Sequence, residues 1–312
     1  MRLVTRSDFD GLICAVLLKH VGKIDSIKFV HPKDLQDGNF AVTADDVLTN
    51  VPFVPGCGLW FDHHATELER VVGKIPFQGE CRIAPSAARV VYDYFGGAAQ
   101  FPGMEEMMNG VDKADSAQFT RDEILKPTGW NLLSFVMDSR TGLGRFKDYR
   151  ISNYQLMYDL IDACLQLSID QILNLADVQE RVKRYFEHDV LFREMISKHS
   201  RTVGDVIISD LRNVDPIYCG NRFLVYAMHP KQNCSIWIVN GRENRNVSFA
   251  CGHSIINKTC KVDIGSIVRK FGGGGHRVAG TCQVSHESAE ETLQSLINEM
   301  SGLNAAERVI AA

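Results

Sequence analysis

The run Gly58-Leu59-Trp60-Phe61, followed at once by Asp62-His63-His64, constrains this chain more than any other stretch. An apolar run of this kind reads as a buried strand of a parallel sheet. In open α/β sheets, ligands gather outside the carboxyl ends of the strands. Asp62, His63 and His64 would stand at that edge, where a carboxylate and imidazoles suit a divalent metal or a phosphate. One histidine on a loop is usually a surface residue, but three potential ligands in succession after an apolar strand ask for a different explanation.

Other segments repeat the pattern. Leu3-Val4-Thr5 is a short strand and Gly11 to His20 an apolar-rich helix, with Ser7-Asp8-Phe9-Asp10 between them. Asp8 and Asp10 project from one tight turn; either one of these residues caps the helix, or the pair contributes ligands. Ile27 to Val30 and Asp46 to Thr49 are two more strands, the latter with Asn50 just past its end. Strands alternating with helices imply βα units and a mainly parallel sheet. Three strand ends, carrying Asp8 and Asp10, Asn50, and Asp62 with the histidines, can then meet at one crevice. Ser86 to Phe95 reads as a capped amphipathic helix. A helix from about Met104 leads to Asp112 and Asp115, which share a face at i and i+3. Asp115, at the helix exit, is the better fourth carboxylate, and Asp112 stays open as the alternative. Residues 118–150 read as irregular; Arg140, Arg145 and Lys147 there are either phosphate contacts or solvated loop charges. From Asn153 to His199 the pattern is helical.

In the C-terminal half β signals dominate, at 206–208, 223–226, 235–239 and 247–250. A helix from Asp263 to Phe271 then meets Gly272-Gly273-Gly274-Gly275-His276-Arg277, with a strand at 281–284 beyond. Glycines let the backbone approach a ligand and turn amides toward an anion, while His276 and Arg277 add donors and charge. At 312 residues the chain exceeds one comfortable core, so two domains are expected. A net charge of −4 argues against a globally basic nucleic-acid binder but leaves room for a local basic groove. Nine cysteines without a C-x-x-C pair read as reduced thiols. With no signal-peptide pattern and no membrane-spanning run, the expected location is the cytoplasm.

Taken together, S-D-F-D-G at 7–11, D-H-H at 62–64, an acid at 112–115 and G-G-G-G-H at 272–276 resemble the DHH phosphoesterase family. The last motif resembles that family's C-terminal DHH-associated domain, and the similarity spans most of the chain in order and spacing. Members include RecJ-type single-strand exonucleases, nanoRNA and 3′-phosphoadenosine-5′-phosphate phosphatases, cyclic-dinucleotide phosphodiesterases and exopolyphosphatase-related proteins. The resemblance implies a bilobal α/β protein with its site in an interdomain cleft: a DHH domain over 1–165, a helical linker over 166–200 and a smaller substrate-binding α/β domain with a mixed sheet over 201–312. It implies Asp8, Asp10, His63 and Asp115 as ligands of Mn²⁺ or Mg²⁺, with Asp62 and His64 completing the catalytic group. Gly273, Gly274, Gly275, His276 and Arg277 would hold substrate phosphate.

Two positions depart from the family pattern. Arg6 stands where a metal-binding histidine is usual, and Asn50 where a carboxylate usually bridges two metals ~3.5–4 Å apart. A guanidinium repels a cation and an amide compensates two dications poorly, so one ion is expected rather than two. Arg6 and Asn50 would face the substrate phosphate instead. Where many members carry an arginine after a Ser-Leu or Ser-Phe pair, this chain has Ser248-Phe249-Ala250. The expected function is metal-dependent hydrolysis of a small phosphorylated substrate, a nucleotide or short single-stranded oligonucleotide, by a protein that needs no membrane and is compatible with a homodimer. The alternatives are a non-catalytic nucleotide-binding protein with a degenerate metal site and, further off, a polyphosphate hydrolase.

Overall fold

The computed structural model describes residues Met1–Ser301. Residues 302–312, placed by the sequence at the end of the second domain, lie outside the described residues. The chain divides into two compact units, residues 1–118 with 127–185, and residues 119–126 with 186 onward.

The first unit is built on a five-stranded sheet: β1 (Arg2–Arg6), β2 (Ser26–Val30), β3 (Asp46–Thr49), β4 (Leu59–Asp62) and β5 (Gly79–Cys81). Their order is β2-β1-β3-β4-β5 and every pairing is parallel. Alternation sorts the side chains by face. Val4, Leu48 and Trp60 lie on one rung and join the core that also holds Leu35, Phe53 and Val71. Thr5 and Thr49 share the next rung, where the Thr49 hydroxyl donates to Thr5 Oγ1 at 2.8 Å and the Thr5 hydroxyl to the Thr49 carbonyl at 2.9 Å. The helix Phe9–His20 is buried from Phe9 to Leu18, consistent with a segment that is apolar on all sides. After β1 the chain turns one way to β2 and then crosses back to β3, so the strand order reverses between β1 and β3. That reversal is the switch point at which such sheets open a crevice for ligands.

Residues 118–150, expected to be irregular, contain two helices. Arg121–Leu125 opens on a capping box between Thr120 and Glu123, and Gly129–Met137 buries Leu132, Leu133, Phe135 and Val136. Pro127 and Gly129 read as breakers, yet they stand at and before the start of that helix, where they interrupt nothing.

The second unit carries a six-stranded mixed sheet: β6 (Ser200–Val203), β7 (Val206–Asp210), β8 (Cys234–Asn240), β9 (Val247–His253), β10 (Gly274–His276) and β11 (Ala279–Val284). The order is β10-β11-β9-β8-β7-β6, with β7 and β8 parallel and the other pairs antiparallel. The helices Ile264–Arg269 and Ala289–Met300 bury Ile264, Val268, Leu293 and Leu296 against Ile236, Ile238 and Phe249. Of residues 223–226, expected as a strand, Leu224 to Tyr226 belong to the helix Leu224–Met228 and Phe223 precedes it. In the turn before the helix, the Asn221 side-chain oxygen accepts from the Phe223 amide at 2.9 Å. A short apolar run does not by itself separate strand from buried helix. No helix among the described residues is long and apolar enough to cross a membrane.

Candidate active site

The turn after β1 is set by a glycine. A Cβ on Gly11 would lie 2.0 Å from the Arg6 carbonyl oxygen, so only glycine lets the helix start this close to the strand. Asp8 is the N-cap: its Oδ1 accepts from the Gly11 amide at 2.9 Å and from Asn50 Nδ2 at 3.0 Å, while Arg6 Nε lies 3.2 Å from Oδ2. Asn50 adopts a left-handed backbone (φ 54°), a conformation asparagine tolerates better than most residues. Both carboxylate oxygens of Asp8 are therefore engaged within the protein.

Asp10 is buried and reaches across the switch point to the N-terminus of the helix Ala87–Tyr94. There the amides of Ala87 and Ala88 donate to its two oxygens at 2.9 and 2.7 Å. Burial pushes its carboxyl well above the usual range, and the charges of Asp115 and Asp8 push the same way; the two amides offset only part of this. Asp115 closes the helix Glu105–Asp115. Its carboxyl is also raised, first by burial, with His63 pulling it back and Asp8 adding to the rise.

His63 stands between these acids. Its Nδ1 lies 3.1 Å from the Ala84 carbonyl, which can only accept, so Nδ1 carries the proton. Nε2 is then a bare lone pair, 3.1 Å from Asp115 Oδ2 and 3.9 Å from Asp10 Oδ2. It is buried and, among the described residues, makes no hydrogen bond. Three lone-pair donors facing one another repel until a proton or a cation joins them. Asp10, His63 and Asp115 thus form a donor set suited to a divalent ion. Asp62, His63 and His64 form a second close group. Within it, His64 Nδ1 pairs with Asp62 Oδ1 at 2.8 Å, and the buried Asp62 Oδ2 has no hydrogen-bond partner. Burial works against a charged His64, but the bond to Asp62 and the charges of Asp62 and Asp115 outweigh it and raise its pKa.

The two acids at the end of the 105–115 helix separate cleanly. Asp112 accepts from Ser86 Oγ at 2.7 Å and from Arg89 Nε and Nη2 at 2.8 and 2.6 Å, so it ties two helices together. Asp115 faces His63. Asp46, at the opposite end of β3 from Asn50, is bound by Arg2 and plays no part in this crevice. The roles of Ala84, Ala87 and Ala88, which act through backbone atoms, left no trace in residue type.

In the second unit, Gly272 and Gly273 donate their amides to the Arg269 and Val268 carbonyls, closing the helix Ile264–Arg269. The Gly273 amide is thereby committed to the fold. Gly274, Gly275 and His276 form β10, which pairs with β11 through the turn at Arg277 and Val278; Gly274, Gly275, His276 and Arg277 are all exposed.

No family model matches the chain, and no curated protein matches it. A solved structure described as a pGpG-specific phosphodiesterase, PggH from Vibrio cholerae, is 50% identical, with a TM-score of 0.86 over 95% of this chain and 97% of that one. RecJ from Thermus thermophilus in complex with Mn²⁺ is 11% identical with a TM-score of 0.43, over 95% of this chain and 51% of that one. CDC45 from Entamoeba histolytica is 8% identical with a TM-score of 0.44, over 95% and 94%.

Proposed function

This chain belongs to the DHH phosphoesterase family, and from that premise we propose that it is a divalent-metal-dependent phosphodiesterase that hydrolyses a linear guanine dinucleotide. The observation that carries the reading is His63: its proton is held on Nδ1 by Ala84, and its bare Nε2 is aimed at Asp10 and Asp115. The substrate class rests on the half-identical relative that is described as specific for pGpG.

Asp10, His63 and Asp115 would hold Mn²⁺ or Mg²⁺. A divalent ion there supplies Lewis-acid polarisation of a phosphoryl oxygen and acidifies water. One ion fits the residues better than two, because Asp8 is already shared by Arg6, Asn50 and the Gly11 amide. Asp62 orients His64 through Nδ1, which leaves His64 Nε2 to meet the phosphate or the leaving oxygen. Arg6, about half exposed beside Asp8, offers a fixed cation to the same phosphate. In the second unit, His276 and Arg277 with the backbone of Gly274 and Gly275 are proposed to grip a second substrate phosphate. Nine free thiols, six of them buried, support a reducing, cytoplasmic setting.

The reaction consumes one water per pGpG and yields two GMP. Purified protein with Mn²⁺ should carry it out, and chelation should stop it. His63→Ala and Asp10→Asn should each lower kcat/KM by on the order of 10²-fold or more and lower bound metal in elemental analysis. Absence of pGpG turnover by the wild type with either ion would remove the dinucleotide assignment.

A further inference from the structure

Arg140 stands out among the cations of the first unit because the fold uses so little of it. It sits in a single 3-10 turn, Ser139–Thr141, capped by Asp138. Asp138 Oδ1 accepts from the Arg140 amide at 2.9 Å and from Arg140 Nε at 2.7 Å, and the Thr141 hydroxyl donates to the Asp138 carbonyl at 2.8 Å. The first two are the hydrogen bonds Arg140 makes among the described residues. Among the described residues its two terminal nitrogens, the pair that grips a phosphate bidentately, have no partner, and the side chain is 58% exposed.

The turn is placed by packing. It follows directly on the helix Gly129–Met137, whose Trp130 meets Phe9, at the start of the helix carrying Asp10, with ring centroids 6.4 Å apart. Trp130 also fills the space over Gly110 in the helix carrying Asp115, where an added Cβ would come within 2.5 Å of the Trp130 Cβ. One helix is thereby keyed at its first turn to both elements that supply the acidic ligands, and Arg140 follows its last turn. Burial works against the charged guanidinium, but Asp138, then Asp8 and Asp115, more than offset it and raise its pKa. A cation within electrostatic reach of Asp8 and Asp115, yet hydrogen-bonded to neither, leaves room for an anion beside them.

We propose that Arg140 is a phosphate-binding residue that contacts the non-bridging oxygens of the scissile phosphate, and that Asp138 is the positioning residue that aims it. This rests on the phosphoesterase reading above. Those oxygens are already anionic in the diester, and the further negative charge they take on as water adds is what a fixed guanidinium stabilises, with no proton to move.

The test compares Arg140→Ala, Arg140→Lys and Asp138→Asn on two substrates, pGpG and bis(p-nitrophenyl) phosphate, which has no base and no second phosphate. Arg140→Ala should lose roughly 10²-fold in kcat/KM on both substrates, with bound metal and melting temperature unchanged. Millimolar guanidinium should restore much of that loss, and Arg140→Lys should recover less, because an ammonium lacks the planar fork. Asp138→Asn should lose less, chiefly as a higher KM, and should not respond to guanidinium. Wild-type kcat/KM in Arg140→Ala, or a loss confined to pGpG, would overturn the assignment. If the wild type hydrolyses neither substrate, it is the phosphoesterase reading that fails. Calorimetric affinity for inorganic phosphate still decides Arg140: a fall of about tenfold in Arg140→Ala supports it, and no change refutes it.

Discussion

At the scale of single residues, the site turns on which groups are satisfied and which are not. Asp112 and Asp115 are three positions apart on one helix and equal in chemistry, yet one is saturated by Ser86 and Arg89 and the other faces a bare imidazole nitrogen. Their substitutions should therefore diverge. Asp112→Asn strips a charge from a bonded network and should lower unfolding free energy by about 1–3 kcal/mol, with metal binding retained. Asp115→Asn removes a crowded, raised-pKa carboxylate, so stability should hold within about 0.5 kcal/mol while metal affinity collapses. Denaturant titration alongside elemental analysis separates the two. Spacing put both acids on one face and the helix exit favoured Asp115; that Asp112 is taken up by Ser86 and Arg89 is visible only in the structure.

At the scale of elements, the glycine run divides into two jobs. A Cβ on Gly273 would meet the Thr281 carbonyl oxygen at 2.2 Å, and one on Gly275 the Ala279 carbonyl oxygen at 2.4 Å, because the β10–β11 hairpin packs backbone against backbone. Gly274 has nothing within 4 Å of such a Cβ. Gly273→Ala and Gly275→Ala should then destabilise the protein by about 1–3 kcal/mol. Gly274→Ala should fold as the wild type does, within about 0.5 kcal/mol, and weaken pGpG binding where a methyl group blocks the approach. Thermal melts paired with binding titrations check both halves. The sequence expectation gave all these glycines one reason, approach to a ligand; close backbone packing is a second reason for glycine at 273 and 275. The helix at 224–228 shows the same limit, since Leu224 to Tyr226 suit a strand by composition, yet the chain turns into a helix just after Asn221, whose side chain accepts from the Phe223 amide.

At the scale of the whole molecule, charge has to be placed as well as balanced. The net charge of −4 includes acids crowded at the carboxyl ends of the strands and others neutralised at the opposite edge. Asp46 belongs to the second kind. Arg2 binds it through Nε at 2.6 Å and Nη2 at 2.9 Å, and the Thr43 amide adds a bond at 2.7 Å. Burial opposes its charge, but Arg2 and Thr43 win and hold its pKa below the ordinary value. A depressed folded pKa contributes stability that is present above the unfolded value, about 3.9, and is lost as pH falls through the folded one. Asp46→Asn should thus cost about 1–2 kcal/mol at neutral pH, and the gap from the wild type should close below about pH 4. Urea melts of both proteins across that range measure it.

Strand periodicity and the polar residues that end each strand were legible from the chain alone. A parallel sheet places consecutive strand ends on one edge whatever the details of packing, so Asp8, Asp10, Asn50, Asp62, His63 and His64 were bound to converge. The glycine run before His276 was legible for a similar reason, since its backbone freedom is written in residue type. What tertiary structure decided are the partners that residue type does not encode. The Ala87 and Ala88 amides reach Asp10 from 77 and 78 positions away, and the Ala84 carbonyl that sets the His63 tautomer lies 21 positions from it. Backbone donors and acceptors are the same at every residue, so only packing determines which of them meets a ligand. The same holds for Arg140, one loop arginine among several by sequence, whose charged neighbours Asp8 and Asp115 are brought to it by packing.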